Sequence, residues 1–257
     1  MKTRSPAARH QRILLWLQEE EELRVRDLAD RLGITSMTVW RDVKLLEEQG
    51  LLRKEHGVIR RPAAALRELD FESKDQTGLT AKRKIAELAL RAFVREGDVI
   101  AMEGGTTVAA LAELLPKQRV SVITNSLPIG LRLRQSHPEI PVRMIGGWIS
   151  PVSGNCTGPD ALREIRRHSA TVCFLSATGW DAAKGPTDPN PLEIEVKRAL
   201  AAMADRVVLL MDSRKFSVEA ASLMIHPRRL HALVSEAPVP EAVGGMLEGC
   251  GVEVITE

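Results

Sequence analysis

Five short stretches combine side chains and bare backbone in a way that suits an anion: Glu103-Gly104-Gly105-Thr106-Thr107, Thr124-Asn125-Ser126, Gly146-Gly147, Thr178-Gly179-Trp180-Asp181 and Asp212-Ser213-Arg214-Lys215. In the first, backbone N–H groups and two hydroxyls stand where a helix opens, a pattern fitted to a phosphate. Asn125 and Ser126 are small polar groups before another helix, and Gly146-Gly147 would let a ligand approach the main chain. Each stretch alone reads more readily as a turn or a helix cap. Taken together, with Lys197 and Lys215 as counter-charges, they point to a small anionic ligand. GxxxxGK[ST] is absent and no GxGxxG follows the first strand, so a polyhydroxylated phosphate is expected rather than a nucleotide, and no cofactor.

The carboxylates Glu103, Asp181 and Asp212 admit a rival reading as bases for isomerising or deaminating a sugar phosphate. A carboxylate at a strand end more often binds ligand hydroxyls or caps a loop. His137, His168, His226 and His231 have no catalytic neighbourhood, and no Ser-His-Asp order, Cys-His pair or metal-ligand spacing occurs. The expectation is a binding protein, not an enzyme.

A second set of chemistry-bearing residues lies near the N-terminus. Val39, Val43 and Leu46 share one face of a helix that Thr35 or Ser36 can cap. At 100° per residue Met37, Arg41 and Lys44 then point away from that seam, with Trp40 at its flank and Ser36 and Thr38 in the first turn. A shorter helix carrying Val25, Leu28, Ala29 and Leu32 precedes it and stops at Gly33. Two helices joined by a Gly turn, the second exposing Ser, Thr, Arg and Lys, form the helix-turn-helix whose second helix enters the DNA major groove. Leu51–Glu55 and Val58–Arg61 flank His56-Gly57 as a two-stranded wing. Its cations Arg53, Lys54, Arg60 and Arg61 suit phosphates.

The elements that position these groups follow from periodicity. A first amphipathic helix spans about Ala7 to Glu20, the acidic run Glu19–Glu22 ends it, and Gly50 ends the third helix. Residues 62–79 read as a connector. Beyond them a long helix around Ile85, Leu88, Ala89 and Phe93 leads to strand-like runs at 99–103, 120–124, 142–145, 171–176, 207–211, 230–235 and 252–255. Helical segments separate most of these runs, the signature of a mostly parallel α/β sheet. The division expected is 1–61 for DNA, 62–79 as linker and 80–257 as an α/β sensor.

Composition narrows the classes. With 44% hydrophobic and 27% charged residues among 257, the chain is neither disordered nor fibrous. Aromatics make up 3%, with no Tyr, so a stacking platform for single-stranded nucleic acid is excluded. Cys156, Cys173 and Cys250 form no CxxC and read as reduced thiols. No apolar run is long enough to span a bilayer, so a cytoplasmic protein without a membrane partner is expected. Residues 1–61 hold 13 Lys/Arg against 10 Asp/Glu, an excess too small to identify a DNA binder without the motif.

The stretch Arg12–Gly57, above all Ser36-Met37-Thr38-Val39-Trp40-Arg41-Asp42 and Leu46-Glu47-Glu48-Gln49-Gly50-Leu51, resembles the winged helix of the DeoR family of bacterial transcription repressors. Further runs resemble its sensor domain: Lys82–Ala86, Gly105-Thr106-Thr107, Thr124–Pro128, Gly146-Gly147, Glu195–Ala199 and Asp212–Phe216. The resemblance implies a sensor similar in fold to ribose-phosphate isomerase, an effector site instead of a catalytic one, and a phosphorylated sugar as effector. It assigns Gly105, Thr106 and Thr107 to the phosphate loop, Asn125 and Ser126 beside it, and Lys197 and Lys215 as site cations. Trp40 stands where the family often has a second Arg, Glu103 where it has Asp, and Lys74 where it has Arg. The expected partners are double-stranded operator DNA and a second copy of the chain, as a homodimer or homotetramer.

Overall fold

The computed structural model describes residues 6–20, 22–48, 52–55, 57–60, 71–116 and 119–256. Gly50, Leu51, His56, Arg61 and the connector residues 62–70 lie outside the described residues. The chain divides between Arg67 and Glu68 into two units. The described part of the stretch read as connector, 71–79, therefore lies in the second unit, where Phe71–Asp75 is a short helix.

The first unit contains helices Pro6–Glu19, Val25–Leu32 and Ser36–Glu48. Their apolar faces meet in one core, with Ile13, Leu17, Leu28, Val39, Val43 and Leu46 almost fully buried. Gly33 ends the second helix at φ +64°, a conformation in which a Cβ is disfavoured. Thr35 Oγ1 accepts a hydrogen bond from Thr38 N at 3.3 Å and so caps the third helix.

The wing differs from the two-stranded ribbon expected. Arg53–Glu55 and Val58–Arg60 are joined by a third strand, Glu22–Arg24, antiparallel to Val58–Arg60 with Leu23 opposite Ile59. Leu23 is the one apolar residue of that strand, and it buries with Ile59 and Leu52. One apolar residue between Glu22 and Arg24 is too short a pattern to read as a strand.

The second unit is a seven-stranded sheet, parallel throughout, in the spatial order Glu253–Thr256, Ala232–Ser235, Ala204–Leu210, Ala170–Ser176, Val99–Met102, Ser121–Thr124, Val142–Met144. All seven correspond to runs expected from the sequence. Alternate residues feed two cores, Ile100, Met102 and Phe174 on one face, Ala101, Cys173 and Leu175 on the other. Helices Leu79–Phe93, Thr106–Ala112 and Leu127–Ser136 cover the first face; Pro159–Ile165, Pro191–Ala202 and Glu241–Gly249 cover the second. Both faces are buried, which is why the strands read as continuous apolar runs.

The first strand of this sheet in chain order, Val99–Met102, sits inside it. The next two extend to one side of it and the fourth, Ala170–Ser176, lies on the other. Between those two the strand order reverses, and a crevice opens there outside the carboxyl ends of an α/β sheet. A small antiparallel sheet of Gly179–Asp181, Gly185–Asp188 and Ser222–Leu223, and a pair Trp148–Ile149 with Cys156–Thr157, were not expected. Their strands are two to four residues long and carry no periodicity. Cys156, Cys173 and Cys250 are free thiols. Among the described residues no helix is long and apolar enough to cross a membrane, and no group of three His, Cys, Asp or Glu could hold a metal ion.

Candidate functional site

In the first unit, helix Ser36–Glu48 is held by its buried face and by one charged brace. Asp42 accepts from Arg9 Nε at 2.7 Å, Arg9 Nη2 at 3.0 Å and His10 Nε2 at 2.9 Å. Burial pushes the Asp42 pKa up, but bonds from Arg9 and His10 outweigh it, so the carboxyl sits below its usual range. The brace ties the third helix to the first and leaves the opposite face to solvent. Met37 is 66% exposed, and Ser36, Arg41 and Lys44 are exposed beside it, with Thr38 and Trp40 half-buried.

The wing cations Arg53, Lys54 and Arg60 are exposed too. Lys54 Nζ lies 4.8 Å from the centre of the Trp40 ring, a cation–π contact that joins wing to helix. Its backbone N donates to Glu47 Oε1 at 3.0 Å, adding a second tie. Arg60 pairs with Glu22 across the added strand. Met37, Arg41 and Lys44 thus form an outward face on a helix fixed from behind, with cations beside it, the shape and charge that a major groove accepts.

In the second unit a cavity of ≈ 350 Å³ opens at the reversal of strand order. Glu103, Gly104, Gly105 and Thr106 line it after the first strand, Ser176 to Thr178 after the fourth and Asp212 after the fifth. Lys197 enters from helix Pro191–Ala202, Arg214 and Lys215 from the turn after Asp212, and Lys74 and Lys82 from the elements that open the unit. The two glycines are required by close neighbours. A Cβ on Gly104 would lie 1.7 Å from Asn155 Oδ1, and one on Gly105 1.8 Å from Ser176 Oγ.

The charges divide into two groups. Lys197 is buried, donates to Asp188 Oδ2 at 2.7 Å and Ser176 O at 3.0 Å, and lies 3.5 Å from Glu103 Oε1. Burial pushes its pKa down, yet Asp188, Glu103 and Glu193 push it up further, so it stays protonated. Glu103 also accepts from Ser176 N at 3.2 Å and Ser176 Oγ at 3.1 Å. That group is internally paired.

The second group gathers around Asp212, whose Oδ1 accepts from Arg214 Nε at 2.9 Å. Lys215 Nζ donates to Ala177 O at 2.7 Å and stands 4.0 Å from Asp212 Oδ2. Burial lowers its pKa; Asp212 opposes this, and Lys197, Lys74 and Lys82 add to the lowering, which brings it to about 8. Burial likewise pushes Lys82 down, its Nζ donating to the Lys74 carbonyl and to Asp75 O. Two lysines whose charged forms are disfavoured chiefly by burial, in a cavity that Lys74 and Arg214 also line, favour an anion there, whose charge would oppose that effect.

Nine residues of the five stretches and two counter-charges singled out from the sequence thus meet in this cavity: Glu103, Gly104, Gly105, Thr106, Thr178, Lys197, Asp212, Arg214 and Lys215. The others do not line it. Thr107 is fully buried in its helix. Asn125 Nδ2 donates to Cys156 O at 3.1 Å, and Ser126 caps helix Leu127–Ser136 by accepting from Ile129 N. Gly146 and Gly147 are exposed, and a Cβ on Gly147 would meet Thr157 O at 2.4 Å. Gly179 packs against Val218 O, and Asp181 Oδ1 accepts from Ala183 N and Lys184 N to close a turn.

Sequence reasoning overlooked Asn155, Ser176, Asp188 and Glu193 as cavity residues. Glu193 had a signal, since it lies four residues before Lys197 on one helical face. Asn155 had none: it follows a tight turn at Gly154, φ +69°, and reaches the cavity only through the folded chain.

Comparison with known proteins gives two family matches. The DeoR-like helix-turn-helix domain matches residues 9–64 and the DeoR C-terminal sensor domain residues 78–237. The uncharacterised HTH-type transcriptional regulator YulB of Bacillus subtilis is 28% identical over 248 residues, covering 96% of this chain and 95% of its own. The HTH-type transcriptional regulator GlpR of Haloferax volcanii is 28% identical over 255 residues, 97% of each. A putative aga operon transcriptional repressor of Escherichia coli O157:H7 is 24% identical over 250 residues, 96% of this chain and 92% of its own. Among solved structures, ribose 5-phosphate isomerase A of Neisseria gonorrhoeae overlays with a TM-score of 0.39 at 20% identity, over 56% of this chain and 54% of that one.

Proposed function

The chain belongs to the DeoR family of HTH-type transcription regulators, and from that premise we propose that it represses a carbohydrate catabolism operon until a phosphorylated sugar enters its sensor cavity. The carrying observation is the ≈ 350 Å³ cavity at the strand reversal, lined by Lys74, Lys82, Arg214 and Lys215. Lys74, Lys82, Arg214 and Lys215 would hold the phosphate, with Gly104, Gly105 and Thr106 beside it. Helix Ser36–Glu48 would read bases, Arg41 and Lys44 reaching guanine edges or phosphates while Arg53, Lys54 and Arg60 hold register. The putative aga operon repressor of Escherichia coli O157:H7 is a relative whose role fits the same reading.

Release follows if the sugar phosphate binds one arrangement of the dimeric protein better than another, since only differential affinity shifts that equilibrium. Two-fold operators call for at least two copies in the cytoplasm. Leu131, Trp148 and Ile149, each more than half exposed, supply apolar surface for the contact. The reading assigns no catalysis, because Glu103 is already engaged by Lys197 and Ser176. Fluorescence anisotropy on DNA from upstream of the chain's own gene tests it. Competitor-resistant binding that one phosphosugar releases, with no turnover of that sugar, is the expected result. Turnover without operator binding would replace the regulator with an enzyme.

A further inference from the structure

Two acceptors facing the sensor cavity make no hydrogen bond among the described residues: Asn155 Oδ1 and Asp212 Oδ2. Both residues are 1% exposed. Asp212 Oδ2 has Lys215 Nζ 4.0 Å away, too far for a hydrogen bond, and Asn155 Oδ1 has no donor, so each is left to accept from an N–H or O–H that enters the cavity.

Asn155 cannot relieve this by turning its amide over. Its Nδ2 donates to Glu193 Oε2 at 3.2 Å, and an ionised carboxylate only accepts. A turned amide would set oxygen against oxygen. Glu193 is itself fixed, Oε1 accepting from Ser153 Oγ at 2.5 Å and from Asn190 Nδ2 at 3.4 Å. Ser153 Oγ in turn accepts from Asn155 N at 3.2 Å, closing a ring of contacts. The bare Cα of Gly104 leaves room for Oδ1, where a Cβ would sit 1.7 Å away.

We propose that Glu193 is a positioning residue that locks Asn155 with its carbonyl oxygen toward the cavity, so that Asn155 and Asp212 together read hydroxyls of the effector. The proposal rests on the cavity being the effector site and adds what discriminates among its ligands. The cations Lys74, Lys82, Arg214 and Lys215 accept any phosphate; the two acceptors favour one that carries O–H donors. The ligand class is a polyol or sugar monophosphate, with inorganic phosphate a weak mimic.

Isothermal titration of the full chain tests this with D-ribose 5-phosphate, D-fructose 6-phosphate, D-glucose 6-phosphate and glycerol 3-phosphate, each against inorganic phosphate. The quantity read is the ratio of dissociation constants, phosphate over the tightest phosphosugar. Glu193→Gln can donate to Asn155 and so permits both amide orientations. Loss of the carboxylate charge acts on both ligands alike and cancels in the ratio. The ratio is expected to fall tenfold or more in Glu193→Gln, and as far in Asn155→Ala, which needs no reoriented partner. A ratio unchanged within twofold in either folded variant overturns the proposal. If the wild-type chain binds no phosphosugar more tightly than phosphate, the effector reading falls and takes this proposal with it. That result is separable, because it is seen before any substitution is made.

Discussion

The helix-turn-helix unit and the sensor unit carry their charged residues in opposite ways. On helix Ser36–Glu48 the cations stand in water on a surface fixed from behind, and one stretch of thirteen residues holds the whole face proposed to read DNA. In the sensor the cations come from Lys74 to Lys215, sit among four carboxylates and are drawn together by the carboxyl ends of separate strands. An exposed cation costs the fold little and can be lost without structural damage. A buried one is part of the fold, so its removal is felt before any ligand arrives.

The strongest way to break that contrast is Lys197→Met. It leaves Glu103, Asp188 and Glu193 facing one another without their shared cation. The expected loss is about 3–5 kcal/mol, seen by calorimetry as a fall of roughly 6–20 °C in Tm. An unchanged Tm would mean that the buried group is not the structural centre described. Arg41→Ala is the counterpart on the other unit: Tm should hold while operator binding weakens by about 1–3 kcal/mol if the guanidinium grips a base pair. Competition against altered operators would show which position loses its preference.

A pH series sharpens the comparison further. Lys215 falls to about 8 in the folded chain, so above pH 8 it loses the charge that would hold an anion. Effector affinity should therefore fall as pH rises from 7 to 9, by at most about tenfold per unit, and Lys215→Gln should flatten the slope. Stability moves the other way. The unfolded chain keeps more protons on this lysine between about pH 8 and 10.5, so the group's contribution to stability rises through that window. The smallest effect is expected from Lys54→Gln, which removes the cation–π contact on Trp40 and would remove one proposed phosphate contact. Operator affinity should drop a few-fold for every sequence alike, and the salt slope by about 1.

The two units also differ in how far they could be read before folding. Helix Ser36–Glu48 was legible because Val39, Val43 and Leu46 recur at helical spacing, and a local period fixes which residues face out. The seven strands were legible for the same reason, as apolar runs buried on both faces. The cavity was only half legible. Gly104, Gly105 and Thr106 follow a strand, where ligands collect, but so do Asn125, Ser126 and Gly147. The latter turn out to hold Cys156, cap a helix and clear the Thr157 carbonyl. Asn155 and Glu193 line the same cavity as Glu103 only because the fold brings distant parts of the chain together, and nothing in a local pattern records that. The third strand of the wing escaped notice through brevity, with Leu23 as its one buried residue.

In the function proposed above, one unit grips DNA while the other decides when it lets go. That division is tested most directly by anisotropy titrations of operator DNA, with and without the releasing phosphosugar, on the wild type, Arg41→Ala and Lys215→Ala. The account predicts that Arg41→Ala loses affinity while still binding the sugar, and that Lys215→Ala keeps affinity and loses release. If both variants lost DNA binding, or if Lys215→Ala were released as readily as the wild type, the assignment of grip and release to these two sites would be contradicted.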